Sequence, residues 1–115
     1  MSNQPRLYSL ENLNEIYHSD YDFVDQIVQI FVENIPKYIS DLSEACKKND
    51  WTSVSFTAHK LKSNIKLFNI SSALNDIIEI ELNAKAMTNL ETLPEKIENV
   101  SGILSAVGTE MKGKI

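Results

Sequence analysis

Residues 51–68 read WTSVSFTAHKLKSNIKLF, and they carry the clearest helical pattern in the chain. Their apolar side chains recur at alternating steps of three and four residues, at Trp51, Val54, Ala58, Leu61, Ile65 and Phe68. This spacing is typical of a helix that buries one narrow stripe against other helices of a bundle. The preceding Asn49 and Asp50 can cap the helix. The following Asn69 can end it, because asparagine tolerates the left-handed conformation found after many helices.

Segments with the same kind of pattern lie on the N-terminal side. A helix capped by Ser19 and Asp20 is predicted to run to about Lys48, with apolar positions at Val24, Ile27, Val28, Phe31, Ile35, Tyr38, Leu42 and Ala45. Pro36 falls inside this run and removes one backbone donor. Since the apolar period stays in phase on both sides, a kink is expected rather than a break. A shorter segment before this helix is predicted to place on one face Leu10, Leu13, Ile16 and Tyr17.

Two further helices are predicted on the C-terminal side. Ser71 and Ser72 start the first, whose inner side is expected to carry Leu74, Ile77, Ile78, Glu81 and Leu82. Thr92 to Glu95 has the spacing of a capping box, with Pro94 in the first helical turn, where proline is tolerated. The helix that follows has an apolar stripe at Leu93, Ile97, Val100, Leu104, Val107 and Met111.

These patterns together predict an all-α fold. Short loops between long amphipathic helices make neighbouring helices antiparallel. The expected architecture is an antiparallel up-down four-helix bundle with a short extra N-terminal helix. A chain of 115 residues has the length of one domain. A single bundle domain is therefore predicted over 1–115, with flexible ends expected at 1–7 and 112–115.

Composition and charge exclude several classes of function. The formal net charge is -5, whereas a nucleic-acid binder needs a positive surface to displace counterions, so no nucleic-acid partner is expected. Cys46 is the only cysteine, and His18 and His59 are the only histidines, so neither an internal disulfide nor a metal site is expected. No stretch is apolar for long enough to span a membrane, and no signal peptide is visible. A cytoplasmic protein is expected.

His59 does not belong to the apolar stripe of its helix. At about 100° per residue it points roughly 130° away from the centre of the stripe, which is outward. Lys62, Ser63 and Lys66 lie three, four and seven residues further on and share this surface, and Ser55 continues it towards the N-terminus. His59 alone would suit an ordinary surface histidine. The lysines and the small serine around it favour a chemical role.

These surroundings suit a residue that carries a phosphoryl group. A neutral imidazole is nucleophilic near neutral pH. Once phosphorylated, it holds a dianionic group that Lys62 and Lys66 can stabilise. Ser63 is small and leaves space for the active site of a partner to close over the ring. Phosphoryl transfer asks mainly for positioning and charge stabilisation, so His59 is predicted to be the phosphorylated nucleophile.

Residues 58–63 read AHKLKS, which resembles the signature of the histidine phosphotransfer (HPt) family, where Gly or Ser usually follows Leu-Lys. The family commonly has a glycine ten residues after the histidine. This chain has Asn69 there, which still allows the helix to stop. Asp50-Trp51 and the stretch FVENIP at 31–36 are also similar to such domains. The resemblance covers nearly the whole chain in the order and spacing of its helices.

The resemblance implies a phosphorelay intermediate. His59 would accept a phosphoryl group from an aspartate of one receiver domain and pass it to an aspartate of another. The receiver would bring the Mg²⁺ and most of the catalytic groups, so this chain would bind no cofactor and would be a carrier rather than an enzyme. The implied partners are response-regulator receiver domains and a hybrid sensor histidine kinase, and a single transferable histidine favours a monomer. Site access and docking would involve Ser63, Ser55, Phe56 and Lys60.

Other functions fit parts of the sequence. The dimerisation and phosphoacceptor region of a sensor kinase usually has an acidic residue directly after its histidine and a proline five residues after it. This chain has Lys60 and Asn64 at those positions. An ordinary hydrolase or transferase would need a nucleophile-base-acid set or a phosphate loop, and neither pattern occurs. The alternative that stays open is a non-catalytic helical protein-binding module, in which His59 could be replaced without loss of function.

Overall fold

In a computed structural model, which describes residues 6–113, the chain folds into five α-helices and no strand. Helix α1 spans Glu11–Ile16, α2 Tyr21–Lys47, α3 Trp51–Leu67, α4 Ser71–Ala86 and α5 Leu93–Lys112, and a 3₁₀ turn at Leu90–Thr92 precedes α5. The four long helices pack in a closed ring, in which α3 contacts α2 and α4, and α5 contacts α4 and α2. The predicted four-helix bundle with a short extra N-terminal helix is confirmed.

The ends of the domain are described only in part. Residues 1–5 and 114–115, which belong to the ends expected to be flexible, lie outside the described residues. Inside them, the Leu7 amide donates to Oε1 of Glu110 at 3.2 Å and so joins the segment before α1 to the end of α5. The single-domain boundary of 1–115 stays a prediction. No helix within residues 6–113 is long and apolar enough to cross a membrane.

Aspartates cap two of the long helices, as predicted. Oδ1 of Asp20 accepts from the Phe23 amide, and Oδ1 of Asp50 accepts from the Ser53 amide, each at 3.2 Å. These bonds satisfy amides that have no partner within the helix. Helix α2 then continues through Pro36 as one element, so the proline does not divide it.

The interior of the bundle is built mainly from the predicted stripes. On α3 the stripe from Val54 to Ile65 is buried and continues with Phe68, while Trp51 is half-buried. All of the predicted stripe residues of α5 are buried as well. Phe31 of α2 stacks on Phe68, with ring centroids 4.3 Å apart. Because one face of α3 is buried in this way, its opposite face is turned to solvent.

Two apolar faces differ from the prediction. Ile16 is 54% exposed rather than part of the buried face of α1. The buried positions of α4 are Ala73, Ile77, Ile80 and Ala84, which also follow three- and four-residue steps. Leu82 is exposed and Leu74 and Ile78 are only half-buried. Small alanines let α4 lie close to its neighbours, and this turns the helix away from the face that its larger side chains indicate.

The predicted capping box before α5 is wrong. The hydroxyl of Thr92 donates to the carbonyl oxygen of Asn89 at 2.7 Å, and Thr92 makes no side-chain cap. The reason is local, because the 3₁₀ turn at Leu90–Thr92 places the hydroxyl against the preceding turn. Pro94 does lie in the first turn of α5, as predicted.

Asn69 forms the turn between α3 and α4 and takes the left-handed conformation, with φ of 52°. Its side chain also ties this turn to the N-terminal segment. Oδ1 of Asn69 accepts from Nδ2 of Asn12 at 3.0 Å, and Nδ2 of Asn69 donates to the carbonyl oxygen of Ser9 at 3.3 Å. The Ser9 amide donates to the carbonyl oxygen of Phe68 at 2.9 Å. A glycine would lack the side-chain bonds, so the asparagine adds rigidity to the α3–α4 hairpin.

Candidate functional site

His59 lies at the middle of α3, on the face that is turned to solvent. Its side chain is 64% exposed, in agreement with the outward direction that helical spacing predicts. The buried stripe on the other side holds α3 against the bundle. The ring therefore projects from a rigid helix rather than from a loop, which limits the positions it can take.

Glu81 of α4 holds the imidazole ring of His59. Helices α3 and α4 run antiparallel, and residues 59 and 81 each lie eleven positions from Ile70 in the turn, so they face each other across the hairpin. Nδ1 of His59 lies 2.7 Å from Oε2 of Glu81. The other carboxylate oxygen, Oε1, lies 2.6 Å from Nζ of Lys62. One carboxylate thus joins the histidine to the lysine that is predicted to act beside it.

The Glu81 carboxylate is ionised and largely shielded from water, with its side chain 13% exposed and that of Lys62 23% exposed. The hydrogen bond from Lys62 lowers the pKa of Glu81, burial works in the opposite direction, and the bond with His59 lowers the pKa further. An ionised carboxylate can only accept hydrogen bonds. The hydrogen-bond network therefore assigns the ring proton to Nδ1. The nucleophilic lone pair is left on Nε2, the ring nitrogen remote from Glu81.

The other polar residues predicted for the site lie around this pair. Ser63 and Lys66 are exposed on α3, on the surface that helical spacing assigns to His59. Ser55 is half-buried, and its Oγ lies 3.5 Å from the carbonyl oxygen of Glu81. At that distance the bond is weak, and it links α3 to α4 rather than to the imidazole. The roles of these three side chains stay predictions.

Phe56 and Lys60 form a second feature of the same surface. Phe56 is 64% exposed, and Nζ of Lys60 lies 4.8 Å from the centroid of its ring, within the range of a cation–π contact. The ammonium of Lys60 is therefore drawn towards the N-terminus of α3, away from Lys62. An aromatic ring beside a charge is suited to contact with a protein partner, and this docking role stays a prediction.

The face around His59 is positively charged although the chain is acidic. Helix α3 contains Lys60, Lys62 and Lys66 and no aspartate or glutamate. The acidic residues of the chain all lie outside α3, and Glu81 is one that reaches back to it. Within residues 6–113 no group of three or more His, Cys, Asp or Glu side chains is arranged to hold a metal ion.

Glu81 is the residue of this site that the sequence pattern alone does not reveal. From the sequence it is predicted only to face inward on α4, without a chemical role. The signal that identifies it is the symmetry of the helical hairpin, because Ile70 in the turn lies midway between positions 59 and 81. An acidic residue opposite an outward histidine in a tight antiparallel hairpin is within reach of the ring.

Comparison with known proteins finds one matching family and two solved structures with a similar fold. A family model described as Hpt domain matches residues 26–107. The structure of histidine-containing phosphotransfer protein B (HptB) from Pseudomonas aeruginosa PAO1 is similar, with a TM-score of 0.84 and 18% identity over 96% of each chain. The HPT domain of an Hpt sensor hybrid histidine kinase from Shewanella has a TM-score of 0.79 and 18% identity, over 93% of this chain and 92% of that one. No curated protein matches the sequence. At this identity the two structures support the fold and nothing finer.

Proposed function

Because this chain belongs to the Hpt domain family, we propose that His59 is the residue on which it carries the phosphoryl group. The function of the chain is histidine phosphotransfer within a two-component phosphorelay. The observation that carries the assignment is that His59 is the one histidine among residues 26–107, the part that the family model matches. His18 lies outside that part, in the loop between α1 and α2.

Transfer onto His59 is a substitution at phosphorus. The Nε2 lone pair attacks the phosphorus of an aspartyl phosphate on a receiver domain. The P–O bond to the aspartate breaks, and its electron pair returns to the aspartate carboxylate. Outward transfer is the reverse reaction with an aspartate of a second receiver. The contact of Nδ1 with Glu81 supports Nε2 as the attacking nitrogen, because it leaves Nε2 unprotonated.

Lys62 supplies the first positive charge for the phosphoryl group. Its ammonium is held by Glu81 at 2.6 Å, one helical turn from His59, so little reorganisation is needed when negative charge arrives on Nε2. A dianionic phosphoryl group attracts this ammonium, and Lys62 then shares its hydrogen bonds between Glu81 and the phosphoryl oxygens. Lys66, exposed one further turn along α3, supplies a second and more distant charge.

The chain supplies the nucleophile, and the receiver supplies the remaining catalytic groups. On this proposal the Mg²⁺ of the reaction is bound by the receiver, and the chain is a carrier with no cofactor of its own. Members of the family work with receiver domains and hybrid sensor kinases. One transferable histidine requires one docking face, so the carrier is proposed to act as a monomer. The net charge of -5 argues against a nucleic-acid partner. The proposed compartment is the cytoplasm.

Docking of the receiver is proposed to use the exposed face of α3. Phe56 offers apolar area with the ammonium of Lys60 above it, while the small Ser63 leaves room beside His59. Opposite charges on the two partners would guide their approach. The lysines of α3 therefore steer an acidic receiver pocket to this face in spite of the negative net charge.

The test of this proposal is transfer of radioactive label from a phosphorylated receiver domain of the same cell. The recipients are the wild-type chain, His59→Gln and, as a control, His18→Asn, in which asparagine suits the left-handed backbone of residue 18 (φ of 51°). Acid-labile and base-stable label is expected on the wild type and on His18→Asn, and none on His59→Gln. Circular dichroism checks that all three chains keep their helices.

Two results would contradict the assignment. Label that persists on His59→Gln would place the phosphoacceptor elsewhere, and loss of label from His18→Asn would point to the other histidine. If several receivers label none of the three folded chains, the non-catalytic helical protein-binding module becomes the better description.

A further inference from the structure

Glu81 is placed to act on the phosphorylated ring as well as on the free one. We propose that its carboxylate keeps the proton on Nδ1 after His59 has been phosphorylated, and thereby keeps the phosphoryl group ready to leave. This inference rests on the proposed function, in which His59 is the carrier. The contact of Glu81 is with Nδ1, whereas the phosphoryl group is added to Nε2 on the other side of the ring. The contact therefore does not have to break when His59 is phosphorylated.

The proton on Nδ1 determines how easily the P–N bond breaks. With this proton present, the phosphorylated ring is cationic, and cleavage returns the electron pair to Nε2 and releases a neutral imidazole. Without it, the same cleavage would release an imidazolate anion, which is a much poorer leaving group. In outward transfer the new bond to phosphorus is made by an aspartate oxygen. In hydrolysis it is made by a water oxygen, whose proton passes to the solvent.

An anionic oxygen at hydrogen-bonding distance stabilises the protonated ring. The same relation holds where a buried aspartate orients a catalytic histidine and stabilises the imidazolium that forms during the reaction. The side chain of Glu81 is 13% exposed, and partial exclusion of water strengthens the attraction between the carboxylate and a cationic ring. Glu81 is thus a positioning residue, since it acts on the phosphoryl group only through His59.

The positive charges of the lysines near the ring oppose the stabilisation of the protonated ring by Glu81. The bond of Lys62 to Oε1 neutralises part of the Glu81 charge. The charged and titratable side chains on the adjoining stretches of helix are Lys60, Lys62 and Lys66 of α3, Glu79 and Lys85 of α4, and Lys37, Tyr38, Asp41 and Glu44 of α2. Lys37 and Asp41 pair with each other, and the hydroxyl of Tyr38 accepts from Asn64. Because Lys62 already bonds the same carboxylate, we expect Glu81 to move the midpoint of the phosphorylated ring by about one pH unit, the lower end of the range for a neighbouring charge.

The variant Glu81→Gln separates the charge from the hydrogen bond. Its amide oxygen can still accept from Nδ1, but it carries no charge. Glu79→Gln is the matched control, because it makes the same change on the same helix at a side chain that pairs with Lys96 of α5 at 2.7 Å. Each full chain is phosphorylated with phosphoramidate, a small-molecule donor, and His59→Gln serves as the blank. Phosphorus NMR then follows the decay of phosphohistidine from about pH 5 to about pH 9, on both sides of the normal titration range of histidine.

The measured quantity is the pH at which the decay rate falls to half of its acidic plateau. For Glu81→Gln this midpoint should lie about one pH unit below that of the wild type and of Glu79→Gln. Between the two midpoints the phosphohistidine of Glu81→Gln should last up to about tenfold longer. Coinciding profiles, or a shift to higher pH, would overturn the inference while leaving His59 as the carrier. Absence of phosphohistidine in the wild type would instead overturn the proposed function.

A second variant keeps the test decisive if Glu81→Gln does not fold. Lys62→Gln removes the ammonium that neutralises part of the Glu81 charge, so it should move the midpoint in the opposite direction, to higher pH. It also removes a cation from near the ring itself, which raises the midpoint in the same direction, and it can change the decay rate at the plateau. A midpoint that stays at the wild-type value in Lys62→Gln would count against the inference.

Discussion

Among residues 6–113, helix α4 makes two carboxylate–lysine pairs with its neighbours, and they differ in what else the carboxylate touches. Glu81 bonds Lys62 of α3 at 2.6 Å, and Glu79 bonds Lys96 of α5 at 2.7 Å. The Glu81 side chain is 13% exposed and the Glu79 side chain 42%. Within the described residues, the second oxygen of Glu81 also holds a histidine. We call the first set the Glu81 cluster (His59, Lys62 and Glu81) and the second the Glu79 pair (Glu79 and Lys96).

Neither set is needed to hold the bundle together. Ion pairs near a protein surface contribute about 0.2–1 kcal/mol each, whereas burying a single large apolar side chain contributes about 1.5–3 kcal/mol. The bundle buries apolar side chains from all four long helices. Changes in either set should therefore leave the chain folded. Changes in the two sets should differ in their effect on phosphoryl transfer, because only the Glu81 cluster contains the proposed phosphoacceptor.

Exchanging the charges within each set should have the largest effect. Glu81→Lys combined with Lys62→Glu can restore an ion pair between α3 and α4, but it puts an ammonium beside Nδ1 and a carboxylate beside the phosphoryl group. We expect transfer from a receiver onto His59 to slow by about 100-fold or more. Glu79→Lys combined with Lys96→Glu should stay within about twofold of the wild type. Rapid-quench measurement of the transfer rate makes the comparison. Equal losses in both double variants would mean that transfer follows the stability of the bundle and not the chemistry of the Glu81 cluster.

Removing single lysines should slow phosphoryl transfer by smaller factors, and the size of each loss ranks the contributions of the positive charges. Lys62→Ala is expected to slow transfer about tenfold and Lys66→Ala about threefold, while Lys96→Ala should have no effect. Lys66 is exposed, so its contribution should fade at high salt, where charges in solvent are screened. The contribution of Lys62, which is 23% exposed, should persist. Transfer rates at low and high ionic strength test this ranking, and a larger loss at Lys66 than at Lys62 would reverse the assigned roles.

The two sets also show how far the sequence could predict this molecule. His59 and Lys62 lie on one helix, so their common surface follows from helical spacing alone. Glu81 comes from the next helix, and its contact with the ring depends on the length of the turn at Ile70 and on how α4 is rotated. Its neighbour Leu82 is a large apolar residue that was expected to face inward and is exposed. The apolar pattern places Glu81 on the inner side of α4, but it does not show that the side chain faces α3 and reaches the ring of His59.

The error in α4 has a physical cause. The stripes of α3 and α5 consist mostly of large apolar side chains, and such side chains mark a buried face clearly. In α4 two of the four buried positions are Ala73 and Ala84, and alanine is common on buried and exposed helix faces alike. The inner face of α4 is set by how closely it approaches α3 and α5, which is a property of the packed bundle. The hydroxyl of Thr92 likewise bonds within a 3₁₀ turn that the capping-box spacing does not reveal.

The smallest expected effect is on the stability of the fold. The Glu81 cluster and the Glu79 pair should lose their contributions to stability at different pH values. The bond from Lys62 lowers the pKa of Glu81 from its ordinary value of 4.5. Its contribution is therefore complete above that value and is lost as the pH falls through the lower pKa of the folded chain. The bond with Glu79 raises the pKa of Lys96 from 10.5. This contribution is complete below that value and is lost as the pH rises through the higher pKa of the folded chain.

Urea unfolding at neutral and acidic pH tests whether the contribution of Glu81 to stability is lost in acid. Glu81→Gln should lower the free energy of unfolding by about 0.5–1 kcal/mol near neutral pH. It should have less effect at about pH 3, because the advantage of the ionised carboxylate shrinks as the pH falls below the ordinary value of 4.5. Lys96→Gln supplies the contrast, because the stability that it removes should disappear in alkali. If the loss caused by Glu81→Gln were the same at both pH values, the ionised carboxylate would not be its source, and the bond between Lys62 and Glu81 would add nothing to the stability of the fold.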